Sequence, residues 1–265
     1  MLRSLYSGIS GMKNFQTKLD VIGNNIANVN TVGFKKSRVT FKDMVSQTIA
    51  GGSAAGATIG GTNSKQIGLG SSSGTIDTIH STSATQSTGR TLDLAIDGDG
   101  YFRIDTGDGT AYTRAGNFYL DNTGTLVTGD GYHVLNMNGG TIKIPTDAQS
   151  FTIGSDGKVS IVDAGGQSQD GGQIGIVTFA NSDGLDKIGS NLYRESLNSG
   201  TVTSAANQPG DGGTGSLKVG FLEMSNVDLT DEFTEMIVAQ RGFQSNSKII
   251  TTSDEILQEL VNLKR

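Results

Sequence analysis

One apolar residue returns every seven positions at the end of this chain. Leu229, Met236, Phe243, Ile250 and Leu257 keep that interval without exception. An interval of seven brings a helical residue back to the same face every two turns, so the five residues form one seam. Phe233 and Val261 belong to a partner slot that otherwise holds Gln240, Ser247 and Asp254, while Ile249, Ile256, Leu260 and Leu263 broaden the face. Ser225, Asn226 and Asp228 are candidate N-caps, and Asp231, Glu232 and Glu235 suit the positive end of a helix dipole. The pattern predicts a helix from about residue 227 to 263, ~50 Å long at ~1.5 Å per residue.

The other end repeats the theme. Leu2, Leu5, Ile9, Met12, Leu19 and Ile26 recur by threes and fours, with Gln16 and Gly23 in the two remaining slots and Phe15 and Ile22 widening one side. Thr31-Val32-Gly33 supplies a helix exit, because glycine accepts the left-handed conformation. Single amphipathic helices are marginal in water, so both seams need cover. A middle domain provides it in the plainest case. Long, narrow seams at the two chain ends favour a helix pair instead. Such a hairpin leaves one side of each helix wet, and self-association covers that side.

The middle has another chemistry. The chain holds 39 Gly and 2 Pro, with 34% hydrophobic and 17% charged residues. Apart from Glu195, the Glu residues (Glu223, Glu232, Glu235, Glu255, Glu259) lie near the C-terminus, while the middle uses Asp beside Gly or Asn. Glu favours helix interiors and Asp favours turns. Short β runs alternate with such turns. Leu92–Ile96, Tyr101–Ile104, Ala111–Arg114, Phe118–Leu120 and Leu126–Thr128 come first; 142–144, 151–153, 159–162, 174–179 and a return strand at 217–224 follow. Turn signals every ~8–12 residues predict a compact antiparallel β domain. Residues 46–75 are rich in Gly, Ser, Ala and Thr and read as a flexible linker in the free chain. The expected class is α+β, with paired, coiled-coil-like terminal helices and a central, mostly antiparallel β domain. The expected divisions are 1–32 and 225–265 as helices of one inner domain, 33–90 as an extended linker with short β segments, and 91–224 as an outer β domain.

Composition excludes much chemistry. With no Cys there is no disulfide and no thiolate, and His80 and His133 are the only histidines. A net charge of −6 disfavours nonspecific binding to DNA or anionic lipid. No apolar run reaches the ~18–20 residues of a membrane span, and the N-terminus does not read as a cleaved signal. The Asp clusters at 97–100 and 105–109 miss EF-hand spacing and read as turns. No P-loop, dinucleotide fingerprint or nucleophile elbow is present. A polysaccharide cleft is poorly served by a chain without Trp. No catalytic residue, metal site or cofactor is expected.

Three strings carry a resemblance. Residues 19–35 read LDVIGNNIANVNTVGFK, with Asn24, Asn25, Asn28 and Asn30, then Thr31, Gly33, Phe34 and Lys35. Residues 225–248 hold SNVDL and then MIVAQRGFQSNSK, including Gln240 and Arg241. Between them stand LDLAIDGDGYF at 92–102 and YTRAGNF at 112–118. Together they resemble the bacterial flagellar rod and hook axial proteins. The resemblance implies a structural subunit, not an enzyme, of a helical tubular homopolymer. It implies terminal helices lining the inner tube, an outward β domain, and export through the flagellar type III apparatus without signal cleavage. It implies rod, hook-cap and hook–filament junction proteins as partners, no membrane insertion, and an extracellular place in the flagellum.

Within that family the sequence looks most like the short hook proteins of Gram-positive bacilli, so a flexible torque-transmitting hook is the first expectation. The distal rod is the alternative, and a secreted β-rich adhesin or polysaccharide-acting domain is the rival from another class. The expected seam, within and between subunits, is Leu2, Leu5, Ile9, Met12, Leu19, Ile26, Leu229, Phe233, Met236, Phe243, Ile250 and Leu257.

Overall fold

The computed structural model describes residues 2–56, 60–200 and 206–263. The chain divides into two compact units. The first comprises 1–27, 37–77 and 228–265; the second comprises 28–36 and 78–227.

In chain order the elements begin with α1 (Leu2–Ala27), β1 (Ser37–Asp43), β2 (Ser46–Ala50), β3 (Lys65–Gly68), β4 (Ser71–Thr78) and β5 (Thr85–Ser87). Next come β6 (Leu94–Asp97), β7 (Tyr101–Asp105), β8 (Thr110–Thr113), β9 (Tyr119–Leu120), β10 (Leu126–Val127) and β11 (His133–Val134). Then follow β12 (Ser150–Ile153), β13 (Lys158–Val162), β14 (Ser168–Gln173), β15 (Ile176–Val177), β16 (Asp186–Gly189) and β17 (Leu192–Arg194). The last are β18 (Ser216–Val219), β19 (Phe221–Glu223) and α2 (Leu229–Leu263). The class is α+β, with two terminal helices and mostly antiparallel strands.

The first unit holds both helices. α2 starts where Asp228 accepts the Thr230 N–H at 2.8 Å, a side-chain cap on an otherwise unpaired donor. Beside the helices, β1 pairs with β4 and β2 pairs antiparallel with β3. The stretch read as a flexible linker therefore contains a strand pair, with Gln47 opposite Ile67. Its backbone donors and acceptors are met across the ribbon although its side chains bury little.

The second unit is β. Its main sheet runs β16-β17-β8-β7-β11-β10-β9, with β15 also on β7; β12-β13-β14 form a smaller sheet. Alternation along β7 explains its centrality. Phe102 and Ile104 reach one cluster with Leu94, Phe118, Leu126, Val134 and Ile174, while Tyr101 reaches another with Tyr112, Val177 and Tyr193. Phe102 and Phe118 meet edge to face with ring centres 5.1 Å apart. Gly116 lets two segments touch, since a Cβ there would lie 1.6 Å from the Leu94 carbonyl oxygen.

Two strand expectations change. Residues 142–144 make only one isolated bridge, Thr125 to Lys143, with a second, Leu135 to Thr141, just before them, although Ile142 and Ile144 are buried. The expected return strand at 217–224 breaks at Gly220, whose φ is +80, into β18 on β6 and β19 on β5.

Candidate assembly surface

α1 and α2 lie side by side and antiparallel. A Cβ on Gly8 would touch Ile250, one on Gly11 would meet the Asn246 side chain at 2.9 Å, and one on Gly242 would strike the Phe15 ring at 2.5 Å. Lys18 pairs with Glu235, and Asn25 donates to Glu232 at 3.2 Å. Small residues thus set how closely the helices approach. Glu232, Ala239 and Ser253 are the buried residues of α2, at intervals of seven and fourteen.

That placement changes the partner slot. The five seam residues from Leu229 to Leu257 keep their interval, but within one chain the adjoining inner slot is Glu232, Ala239, Asn246 and Ser253. Phe233 and Val261 are exposed. Counting apolar residues selects the greasier slot. Close packing selects the slot whose side chains are small enough to admit α1. On α1, Ile22 is buried and Phe15 packs on Gly242, so both sit nearer the helix contact than the sequence pattern places them.

Leu5, Met12, Leu19, Ile26, Met236, Ile250 and Leu257 are half-buried, and Ile9, Leu229 and Phe243 are exposed. The side chain of Leu2 lies outside the described residues. Exposed apolar side chains continue along α2 through Ile237, Val238, Ile249, Ile256 and Leu260. They continue on the strands through Val45, Ile49, Ile67 and Ile76. These side chains leave a large share of the unit's apolar surface in water.

The motif residues divide by role. In the first unit Asn25 is buried; its amide donates to the Ser37 carbonyl at 2.9 Å and accepts the Ser37 N–H at 3.0 Å. It thereby ties the end of α1 to the start of β1. Asn24 is exposed, as are Gln240 and Arg241, whose guanidinium reaches Gln244 at 3.4 Å. In the second unit the Thr31 hydroxyl donates to Asn28 at 3.1 Å, and Asn30 is exposed. Gly33 takes φ +69, where a Cβ would fall 2.7 Å from the Ala115 nitrogen. Phe34 is buried, with the Lys187 ammonium 5.0 Å from its ring centre.

Lys35, singled out in the sequence only as a motif residue, is fully buried. Its ammonium meets Glu223 Oε1 at 2.6 Å and donates to the Ser81 carbonyl at 2.6 Å and to Ser83 at 3.3 Å. Arg114 pairs with Glu223 Oε2 at 3.2 Å. Burial pulls the Lys35 ammonium below its ordinary range, and Glu223 opposes that shift. Nearby, Tyr101 Oη and His80 Nδ1 are 2.6 Å apart. Burial first, and then the cations Lys187, Lys35 and Arg114, lower the His80 pKa to about 4. Burial raises Tyr101 to about 12. Nothing local marks Glu223 or Arg114 as a member of a buried cluster, because their partners lie far away in the chain.

Among the described residues no group of acids and histidines is arranged to hold a metal. No described helix is long and apolar enough to cross a membrane. What the chain presents is a pair of amphipathic terminal helices with exposed apolar side chains and a separately cored β unit, the make-up of a structural protein.

Similarity to known proteins makes that class specific. Residues 5–35 match the flagella basal body rod protein family, 95–161 the flagellar hook protein FlgE/F/G D1 domain, and 218–263 the flagellar basal body rod FlgEFG protein C-terminal family. The flagellar basal-body rod protein FlgG of Bacillus subtilis (strain 168) is 97% identical over 265 residues, all of both chains. FlgG of Borreliella burgdorferi is 43% identical over 271 residues, again covering both chains in full. The flagellar hook protein FlgE of the same organism is 30% identical over a 443-residue alignment that spans both chains. The chain belongs to the flagellar rod and hook family of structural proteins, which form polymeric assemblies with other flagellar components.

Proposed function

We propose that this chain is the distal-rod subunit of the flagellar basal body, and that the hook expectation gives way to this alternative. The observation that carries the choice is the full-length 97% identity to a basal-body rod protein, against 30% to a hook protein aligned over 443 residues. The hook resemblance rested on strings that rod and hook proteins share, so it did not separate them.

In this reading the subunits stack head to tail without closing, which gives an open helical tube. The helices within 1–32 and 225–265 line the inner domain and pair in a coiled-coil manner within and between subunits. The stretch 33–90 joins inner and outer layers, and 91–224 faces outward. The predicted seam residues and the exposed face of α2 become buried at the growing tip, coupling assembly to ordering. Rod and hook-side axial proteins are its neighbours. The chain leaves the cell through the flagellar export apparatus without signal cleavage and acts outside the cytoplasm.

Two measurements test this. Electron microscopy of the assembled protein is expected to show short, straight tubes; long, curved, flexible tubes would restore the hook assignment. Ile250→Asp is expected to stop tube formation while the β unit stays folded. Normal polymerisation of that variant would remove the seam from the assembly surface.

A further inference from the structure

The second unit is built from two pieces of chain, 28–36 and 78–227, and its two ends are tied together at one buried point. Gly33 donates its N–H to the Glu223 carbonyl at 2.8 Å. Asn226 accepts the Lys36 N–H at 2.7 Å and donates to the Ile79 carbonyl at 2.8 Å. At the centre, Lys35, Arg114 and Glu223 are each at most 2% exposed. The charge count there is unequal: two cations share one carboxylate. The Arg114 guanidinium also donates to the Gly98 carbonyl at 2.7 Å, while its other terminal nitrogen is buried without a hydrogen-bond partner among the described residues.

The order of these groups along the chain matters. Both cations precede the carboxylate, Lys35 by 188 positions. A chain delivered N-terminus first, from a ribosome or through a channel, presents the cations long before Glu223. Burying two cations with no anion is strongly unfavourable, because neither their hydration nor a partner charge is then available. The segment that brings Glu223 also brings β18 and β19, which complete the pairing of β6 and β5.

We propose that the Lys35–Glu223–Arg114 cluster is a closing latch. The second unit reaches its native state only when the Glu223 strand arrives, so a partly delivered chain stays open around the cation pair. The latch holds the N-terminal motif segment in place last of all, after the sheet around β7 and β8 has formed. It operates in the isolated chain, whether or not the chain builds a rod.

Hydrogen exchange on the purified full-length chain tests the proposal. In Glu223→Gln, exchange of the amides of Gly33, Leu222 and Thr88 is expected to rise about a hundredfold or more, the scale of breaking a buried ion pair. Adding Lys35→Met to Glu223→Gln removes one uncompensated cation and is expected to recover roughly tenfold or more. Exchange within about threefold of wild type in Glu223→Gln, or an equal cost of that change with and without Lys35, would overturn the latch. If Glu223→Gln fails to fold, pulse-labelled refolding of the wild-type chain decides. The latch amides are expected to gain protection after those of Ile104 and Tyr112; simultaneous or earlier protection refutes the proposal.

Discussion

The two units spend their apolar residues in opposite ways. Both hydrophobic clusters lie in the second unit, where Phe102, Ile104, Phe118, Val134, Ile142, Ile174 and Ile176 are fully inaccessible to solvent. In the first unit only Ile22 and Ala239 are buried apolar residues among those described. Of twenty-two exposed large apolar side chains in the described residues, eighteen belong to the first unit. The second unit thus buries its own core, while the first leaves most of its large apolar side chains in water. Full burial of each such side chain is worth about 1.5–3 kcal/mol, a gain the first unit does not collect within the single chain.

The self-contained core of the second unit is most sensitive at its centre. Phe102→Ala removes a ring packed on Phe118 and is expected to cost about 3–5 kcal/mol. Denaturant unfolding followed by tyrosine fluorescence measures this, because the buried tyrosines Tyr101, Tyr112 and Tyr193 all report on the same unit. Helical circular dichroism at low denaturant is expected to stay near wild type. A helical signal that falls in parallel would mean that the first unit depends on the second for its stability.

A smaller effect follows from His80. Its folded pKa, about 4, lies below the ordinary imidazole value of 6.5, so the unfolded chain takes up the proton first. The stability this neutral imidazole contributes is complete above pH ~6.5 and is lost as pH falls from there toward ~4. The expected loss is about 2–3 kcal/mol, seen as a falling melting temperature of the second unit. His80→Gln is expected to flatten that dependence. An unchanged pH profile in His80→Gln would place the acid sensitivity elsewhere.

Legibility in the sequence followed the range of the signal. The helices were readable because a seam repeats locally: α2 was expected from about 227 to 263 and spans Leu229–Leu263. Strands such as β7 and β13 were readable from alternation and flanking turns. The inner helix slot was not, since Glu232, Asn246 and Ser253 look polar and become interior only because Gly11 and Gly242 bring the helices close. Nor was the Lys35–Glu223–Arg114 cluster, whose members pair across most of the chain. Lys35 stood out only through a family motif, and a motif marks a position without saying that it is buried. The strings compared do not rank hook against rod for a related reason: they belong to both.

The helix contact itself offers the next test. Gly242→Val places a branched side chain where the Phe15 ring already stands, 2.5 Å from a Cβ position. Overpacking of this kind costs about 1–3 kcal/mol, here confined to the first unit. The helices are expected to part, with reduced thermal stability of the helical signal, no polymer, and an unchanged tyrosine-reported transition. Polymer yield equal to wild type would mean that assembly tolerates a wider helix spacing than one chain displays.

The smallest effect on the isolated chain is the most discriminating. Phe233 on α2 and Ile188 on β16 are similarly exposed, at 49% and 46%. Replacing either by Ser removes apolar surface that already faces water, so the free chain is expected to change by less than about 0.5 kcal/mol in both cases. Their consequences for assembly are expected to differ. Phe233→Ser deletes part of the uncovered helix face and raises the concentration needed for polymerisation, roughly tenfold if one aromatic contact per interface is lost. Ile188→Ser leaves that concentration near wild type. Equal effects of the two changes would mean that the β unit carries as much of the subunit interface as the helices do, and that the division between a finished unit and an unfinished one stops at the single chain.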